Sequence, residues 1–223
     1  MTRRGVLTTM AALIPLAVLM VGVGSVVAVP STASAALVHP NVVGAGHTKC
    51  TGAWTGILRF GPPLINGGTA TNEEVSITAV AKPCVGGTPT PTLGKIVGKG
   101  IIHGAAANSC AHIPLAPPGG THVATFLSPG FYEGITWTPA TIASTSINFP
   151  SFKVITATPA APIKFTATGP TTAGSSYPDA TATQTLSTQK PYAVIKSAGA
   201  GDCGSTSGVS SLTLRAAGTT GTF

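Results

Sequence analysis

Few side chains in this sequence are equipped for chemistry. Five acids, Glu73, Glu74, Glu133, Asp179 and Asp202, and five histidines, among them His103, His112 and His122, are spread over 223 residues. Hydrolysis by paired carboxylates requires two acids about 5 to 9.5 Å apart across a cleft. Glu73 and Glu74 are adjacent, so on a strand they point to opposite faces. Glu133, Asp179 and Asp202 sit among turn-forming residues, where short acids commonly cap their own backbone. The run Gly201-Asp202-Cys203-Gly204-Ser205 echoes the Gly-Asp-Ser-Gly of chymotrypsin-like proteases, yet Cys203 occupies the nucleophile position. Ala107-Asn108-Ser109-Cys110 likewise lacks the histidine that would accept the proton. Gly204 to Gly208 is not a nucleophile elbow, because Thr206 is its third member. His47-x-x-Cys50 and Cys110-x-His112 do not repeat the short paired spacings of a zinc site. No catalytic residue, metal ligand or cofactor site is expected.

Composition points elsewhere. Beyond residue 35 there are ten Lys and Arg against five acids, a charge of about +5 and a charged fraction roughly a third of the soluble average. That poverty of charge excludes nucleic-acid binding of the basic-patch kind. The same stretch has 30 Thr, 25 Gly and 17 Pro but only 9 Leu, which favours strands and turns over helices.

Arg3-Arg4, the apolar run Ala11 to Val29 and the small-residue exit Ala33-Ser34-Ala35 have the three parts of a secretory signal. Cleavage is expected between Ala35 and Ala36, leaving a secreted β domain over 36–223. A membrane contact would exist only through an uncleaved signal, whose apolar run approaches the ~20 residues that span a bilayer. The four cysteines, Cys50, Cys84, Cys110 and Cys203, follow that site, and an even number in an exported chain is the arithmetic of two disulfides. Three connectivities exist. Cys50 with Cys84 and Cys110 with Cys203 is preferred, because Cys50 opens one strand-like run and Cys84 closes the next.

Strand patterns are read at 51–60, 75–82, 95–103, 123–126, 134–138, 144–149, 152–158, 163–168, 180–186, 192–195 and 211–215, separated by Gly and Pro signals. They predict an all-β domain, a single antiparallel β-sandwich or barrel of about nine to eleven short strands, behind a signal-peptide helix. Residues 61–72 are expected to be a loop, and 216–223 a frayed tail or an edge strand. Setting Cys50 opposite Cys84 within one hairpin would put the apolar faces of 51–60 and 75–82 on opposite sides, so a one-residue bulge is expected there. Phe131 and Tyr132 follow Ser128-Pro129-Gly130 in a predicted turn and are the weak candidates for ligand contact; Trp137 is expected in the core.

Cys50-Thr51-Gly52, Phe60-Gly61-Pro62-Pro63-Leu64, Gly67-Gly68-Thr69, Ala107-Asn108-Ser109-Cys110-Ala111, Ile135-Thr136-Trp137, Cys203 and Ser210-Ser211-Leu212-Thr213-Leu214 span most of the mature sequence. In these the chain resembles a group of uncharacterised small secreted proteins of high-GC Gram-positive bacteria. The resemblance implies export, β-structure and two disulfides, and carries over no functional residue. The expected role is a non-enzymatic extracellular or cell-envelope protein contacting an unidentified ligand there; the alternatives are a secreted hydrolase or a carbohydrate-binding module. The dispersed cations would favour anionic envelope polymers weakly and in a salt-sensitive way. Intact mass of the exported protein checks the first step: loss of residues 1–35 is expected, and their retention would indicate an anchored form.

Overall fold

The computed structural model describes residues 41–51, 55–110, 119–196, 203–216 and 221–223. The predicted signal with Ala35 and Ala36, and also Trp54, His112 and Asp202, lie outside the described residues. In chain order the strands are β1 (Ala45–Cys50), β2 (Thr55–Leu64), β3 (Asn72–Ala81), β4 (Cys84–Thr88), β5 (Leu93–His103), β6 (Thr121–Thr125) and β7 (Phe131–Thr138). There follow β8 (Thr145–Phe149), β9 (Ser151–Thr156), β10 (Pro162–Gly169), β11 (Ala182–Pro191), the short helix α1 (Tyr192–Lys196), β12 (Val209–Ala216) and β13 (Gly221–Thr222).

The strands form one antiparallel sheet in the order β4-β1-β13-β11-β12-β2-β3-β5-β7-β8, and the far side of β11 continues through β10 and β9 to β6. Strand β11 is the fork: one edge pairs β10, while the other pairs β12 through Leu186 to Thr188 and β13 at Thr183. The sheet is not closed, but it curls far enough for its ends to meet. An isolated bridge joins Ile147 of β8 to Thr171 just beyond β10, and another joins Ile102 of β5 to Phe126 just beyond β6. Strict alternation explains the curl. Leu58 and Phe60, Val75 and Ile77, Ile135 and Trp137, Phe152 and Val154, and Leu212 and Leu214 all lie on the inner face and are buried. Each such side chain contributes roughly 1.5 to 3 kcal/mol once removed from water.

At one end of the interior, Trp137 meets the Tyr177 ring edge-on at 5.2 Å and the Phe223 ring at 5.5 Å. The Trp137 indole N–H donates to the Thr145 hydroxyl (2.8 Å), which donates to the Ser176 carbonyl (2.6 Å). Tyr177, with a left-handed φ of 53°, donates its phenol to the Pro89 carbonyl at 2.5 Å. Phe223 exchanges two backbone hydrogen bonds with Thr48, so the strand before it sits inside the sheet between β1 and β11. The expectation of a frayed or edge tail is therefore corrected for 221–223.

Cys50 is bonded to Cys84 and Cys110 to Cys203, over separations of 34 and 93 residues. In the chain-entropy account these closures stabilise by about 4 and about 5 kcal/mol. Cys50 and Cys84 face one another in the ladder of β1 and β4, not in a hairpin of the flanking strands. Cys50 ends its strand and Cys84 begins its own, the reverse of the expected order. No bulge interrupts β2 and β3, where Leu58 opposes Ile77 and Phe60 opposes Val75, with both apolar faces inward. A bulge does occur, between Ala45 and Thr48 against β4, where Gly86 and Gly87 take φ of 80° and 71°.

Other expectations are corrected too. Among the described residues there are 13 strands, because β1, β4 and β13 join those predicted. Gly61 to Leu64 extends β2 instead of opening a loop. Residues 192–196 are helical: Pro191 pre-sets the backbone for a helix start, and Tyr192 and Ile195, three apart, are both buried. Phe131 and Tyr132 open strand β7 and are not in a turn. Among the described residues no helix is long and apolar enough to cross a membrane.

A Cβ added at Gly87 would lie 2.5 Å from the Tyr177 ring, at a backbone conformation that side chains avoid. Gly87→Ala is expected to destabilise by about 3 kcal/mol, combining overpacking and left-handed strain. Chemical denaturation checks this, with Gly174→Ala, at φ 81° and in open space, separating strain from crowding.

Candidate functional site

The inner face holds two acids where alternation calls for apolar residues. Glu73 shares the face of Val75 and Ile77 on β3; Glu133 shares that of Phe131 and Ile135 on β7. Both are buried, at 0% and 1% exposure. Gln184, inward-facing on β11, donates its amide N–H to the Glu133 carboxylate. Burial pushes the Glu133 carboxyl up to about 8, and the hydrogen bond from Gln184 opposes this. Burial also pushes Glu73 up to about 8, and among the described residues neither carboxylate oxygen has a hydrogen-bond partner.

Glu133 and Gln184 border a cavity of about 60 Å³ whose other walls are apolar, with five phenylalanines, Phe126, Phe131, Phe149, Phe152 and Phe165. Three ring pairs stack along it at centroid distances of 5.1, 5.3 and 5.9 Å. So small a space admits a few water molecules and not a substrate. Glu73 does not join Glu133 there. The ladders place Glu73 opposite Ile102, and Glu133 opposite Gly98, which itself opposes Ile77. Two strands and four residues along therefore separate the acids, about 16 Å between Cα positions. They cannot act as one acid–base pair.

The remaining ionisable groups are dispersed. Glu74 is exposed on the outer face of β3. Asp179 caps its own loop, accepting the Thr181 N–H at 2.8 Å, and lies 3.4 Å from His47. His103 shares a hydrogen bond with Asn72 at 2.7 Å. His122 lies on β6. Among the described residues, no three of His, Cys, Asp and Glu come together as a metal site. Asn108, next to the Ser109 that stands where a protease would have its histidine, accepts the Ala70 N–H at 2.9 Å and reaches the Pro63 carbonyl. It pins the loop beside Cys110 and has a structural task. Cys203, bonded to Cys110, is no nucleophile.

Phe131 and Tyr132 part company. Phe131 is buried and faces the interior cavity, whereas Tyr132 is 46% exposed on the outer face. Tyr132 stands opposite Lys99 and lines a groove of about 270 Å³ together with Glu74, Ile101 and Leu127. Only Tyr132 of the two can touch a ligand from outside. Sequence reasoning placed Glu133 in a turn; its odd-numbered parity with Phe131, Ile135 and Trp137 was the signal for an inward carboxyl. Gln184, in phase with Ala182 and Leu186, carried the same signal.

This fold and these sites define an antiparallel all-β protein with two disulfides and a sealed-in carboxyl–amide pair. Comparison with protein-family models, with curated proteins and with solved structures gives no match for the chain.

Both buried acids favour the neutral form in the folded protein. Their contribution to stability is complete below their ordinary value of 4.5 and is lost as pH rises through about 8. Unfolding free energy should therefore fall between about pH 4.5 and 8. Glu133→Gln should reduce that slope and raise stability at pH 9 relative to the parent. Urea midpoints across pH 4 to 9 test it, and a parent curve flat over that interval would refute it.

Proposed function

We propose that this is an exported protein working outside the membrane, in the envelope or the surrounding medium, as a non-enzymatic interaction protein with a sandwich-like, crosslinked sheet. One observation carries the reading: the buried acids are held apart, one tied to an amide and the other without a partner, and the remaining acids of the described residues cap loops or face solvent. Acid–base hydrolysis needs converging groups, and these do not converge. The two disulfides support an oxidising compartment. The outer face, rich in threonine and carrying far more cations than acids, suits contact with polyanions at low salt.

One further observation favours saccharide contact as a second reading: the exposed Tyr132 ring, with Glu74 and Lys99 beside it, combines a stacking surface with hydrogen-bonding groups.

Passing fractionated envelope polymers over the immobilised protein tests both. Retention of an anionic polymer that elutes as salt rises is expected, with no turnover of glycan, ester or peptide substrates. Turnover abolished by Glu133→Gln would reinstate the hydrolase. Retention of a neutral glycan, lost at least tenfold in Tyr132→Ala, would favour the saccharide reading.

A further inference from the structure

A surface groove of about 400 Å³ lies on the outer face where β10, β11 and β12 run side by side, away from Tyr132 and from the interior cavity. Register assembles it. Lys164 of β10 is directly opposite Ser187 of β11, and Ser187 is directly opposite Arg215 of β12. The three side chains therefore share one face in one row, the two cations flanking the serine about 10 Å apart between their Cα positions. Lys164 and Arg215 are exposed, while Ser187 forms the floor at 4% exposure. Ser187 lines that groove between the two cations. A serine hydroxyl there can donate a hydrogen bond to a polar group that enters the groove.

The surroundings point the same way. Among the described residues the groove is lined by no carboxylate, and its walls are the apolar Ile155, Ala157, Ala161 and Pro162. Apolar walls exclude water and strengthen the attraction of the two cations for an anion between them. The ladder between β10 and β11 slips just past Lys164, where the Ile163 N–H turns to the Thr188 hydroxyl at 3.0 Å instead of a strand partner. That irregularity widens the sheet at the groove, as bulges do near ligand sites.

We propose that Lys164, Ser187 and Arg215 form a binding site for a phosphoryl group. Arg215 supplies a planar fork of donors, Lys164 a mobile ammonium, and the Ser187 hydroxyl a third donor from below, a set matched to the oxygens of a tetrahedral anion. The apolar walls accommodate the carbon atoms on either side of a phosphodiester. The site rests on the reading of an interaction protein and names the chemistry of its partner. The same phosphoryl chemistry can come from free phosphate or from a phosphodiester-linked envelope polymer.

Equilibrium dialysis of the full chain against inorganic phosphate and against a short synthetic poly(glycerol phosphate), with dextran as the uncharged control, tests the site. The parent should bind the polymer and, more weakly, phosphate. Lys164→Gln and Arg215→Gln should each weaken both by roughly tenfold and Ser187→Ala by about threefold. Arg59→Gln and Lys95→Gln, which remove the same charge elsewhere on the outer face, should change them less than twofold. Thermal midpoints monitor folding, and Lys164→Gln, at an exposed position, stands on its own if Arg215→Gln does not fold. Phosphate bound as tightly as the polymer identifies the free anion as the ligand, and the reverse identifies the polymer. Equal losses in the control variants would reduce the site to diffuse charge, and absence of binding to either probe would overturn it. Neither result bears on export or catalysis, whereas hydrolytic turnover or four free thiols in a cytosolic form would sink the interaction reading and leave these affinities standing.

Discussion

Strand β11 is hydrogen-bonded to three neighbours, and the curl of the sheet depends on it. With β10 along one edge and β12 and β13 sharing the other, the sheet divides into arms that cannot all lie in one plane. The arms bend toward each other, and the apolar face of each finds its cover in the others. No helix is needed to shield that face, and a chain so poor in helix formers supplies only five helical residues among those described. The sheet acts as its own second layer, the requirement that any one-sided sheet must meet.

The same bending sorts the polar residues. Inside are groups that stay neutral or partnered: the hydroxyl relay from Trp137 through Thr145 to Ser176, the amide of Gln184 and two raised carboxyls. Outside are threonine pairs across β10 and β11, such as Thr166 with Thr185 and Thr168 with Thr183, and scattered cations. Threonine suits such a surface because its methyl packs on the pleat while its hydroxyl meets a cross-strand neighbour. A protein with few charges can remain wetted this way. The buried acids lower the number of ionised carboxylates at neutral pH still further, which tilts the outer surface toward anions.

Much of the fold was legible because alternation is strong in β2, β3, β5 and β7, where side-chain size changes at every step. The strands that were missed are short and glycine-rich. Most of β4 falls in Gly86 to Pro91, which reads as a loop, since Gly86 and Gly87 carry no side chain to reveal a face. Gly221 and Thr222 are recognisable only from the partners that enclose them. The helix at Tyr192 was hidden because four residues of mixed character fit either period. The disulfide partners were readable from spacing, but not the strands they join, because β1 and β4 lie outside the two runs from which the pairing was argued. Of the sites, the inward direction of Glu73 and Glu133 lay in their parity with neighbours. The row of Lys164, Ser187 and Arg215 did not, because it exists only once three strands, distant in sequence, adopt a particular alignment.

At the outer end of the sheet, β4 has no partner strand on one flank among the described residues. Its two left-handed glycines throw the peptide planes out of the regular pleat, and the bulge they make against β1 twists the ribbon further. A neighbouring molecule seeking to add its own strand there would find donors and acceptors pointing in the wrong directions. A threonine-rich surface with so little charge repulsion is a natural template for fibrous stacking, and this distortion withholds the straight border on which such growth begins.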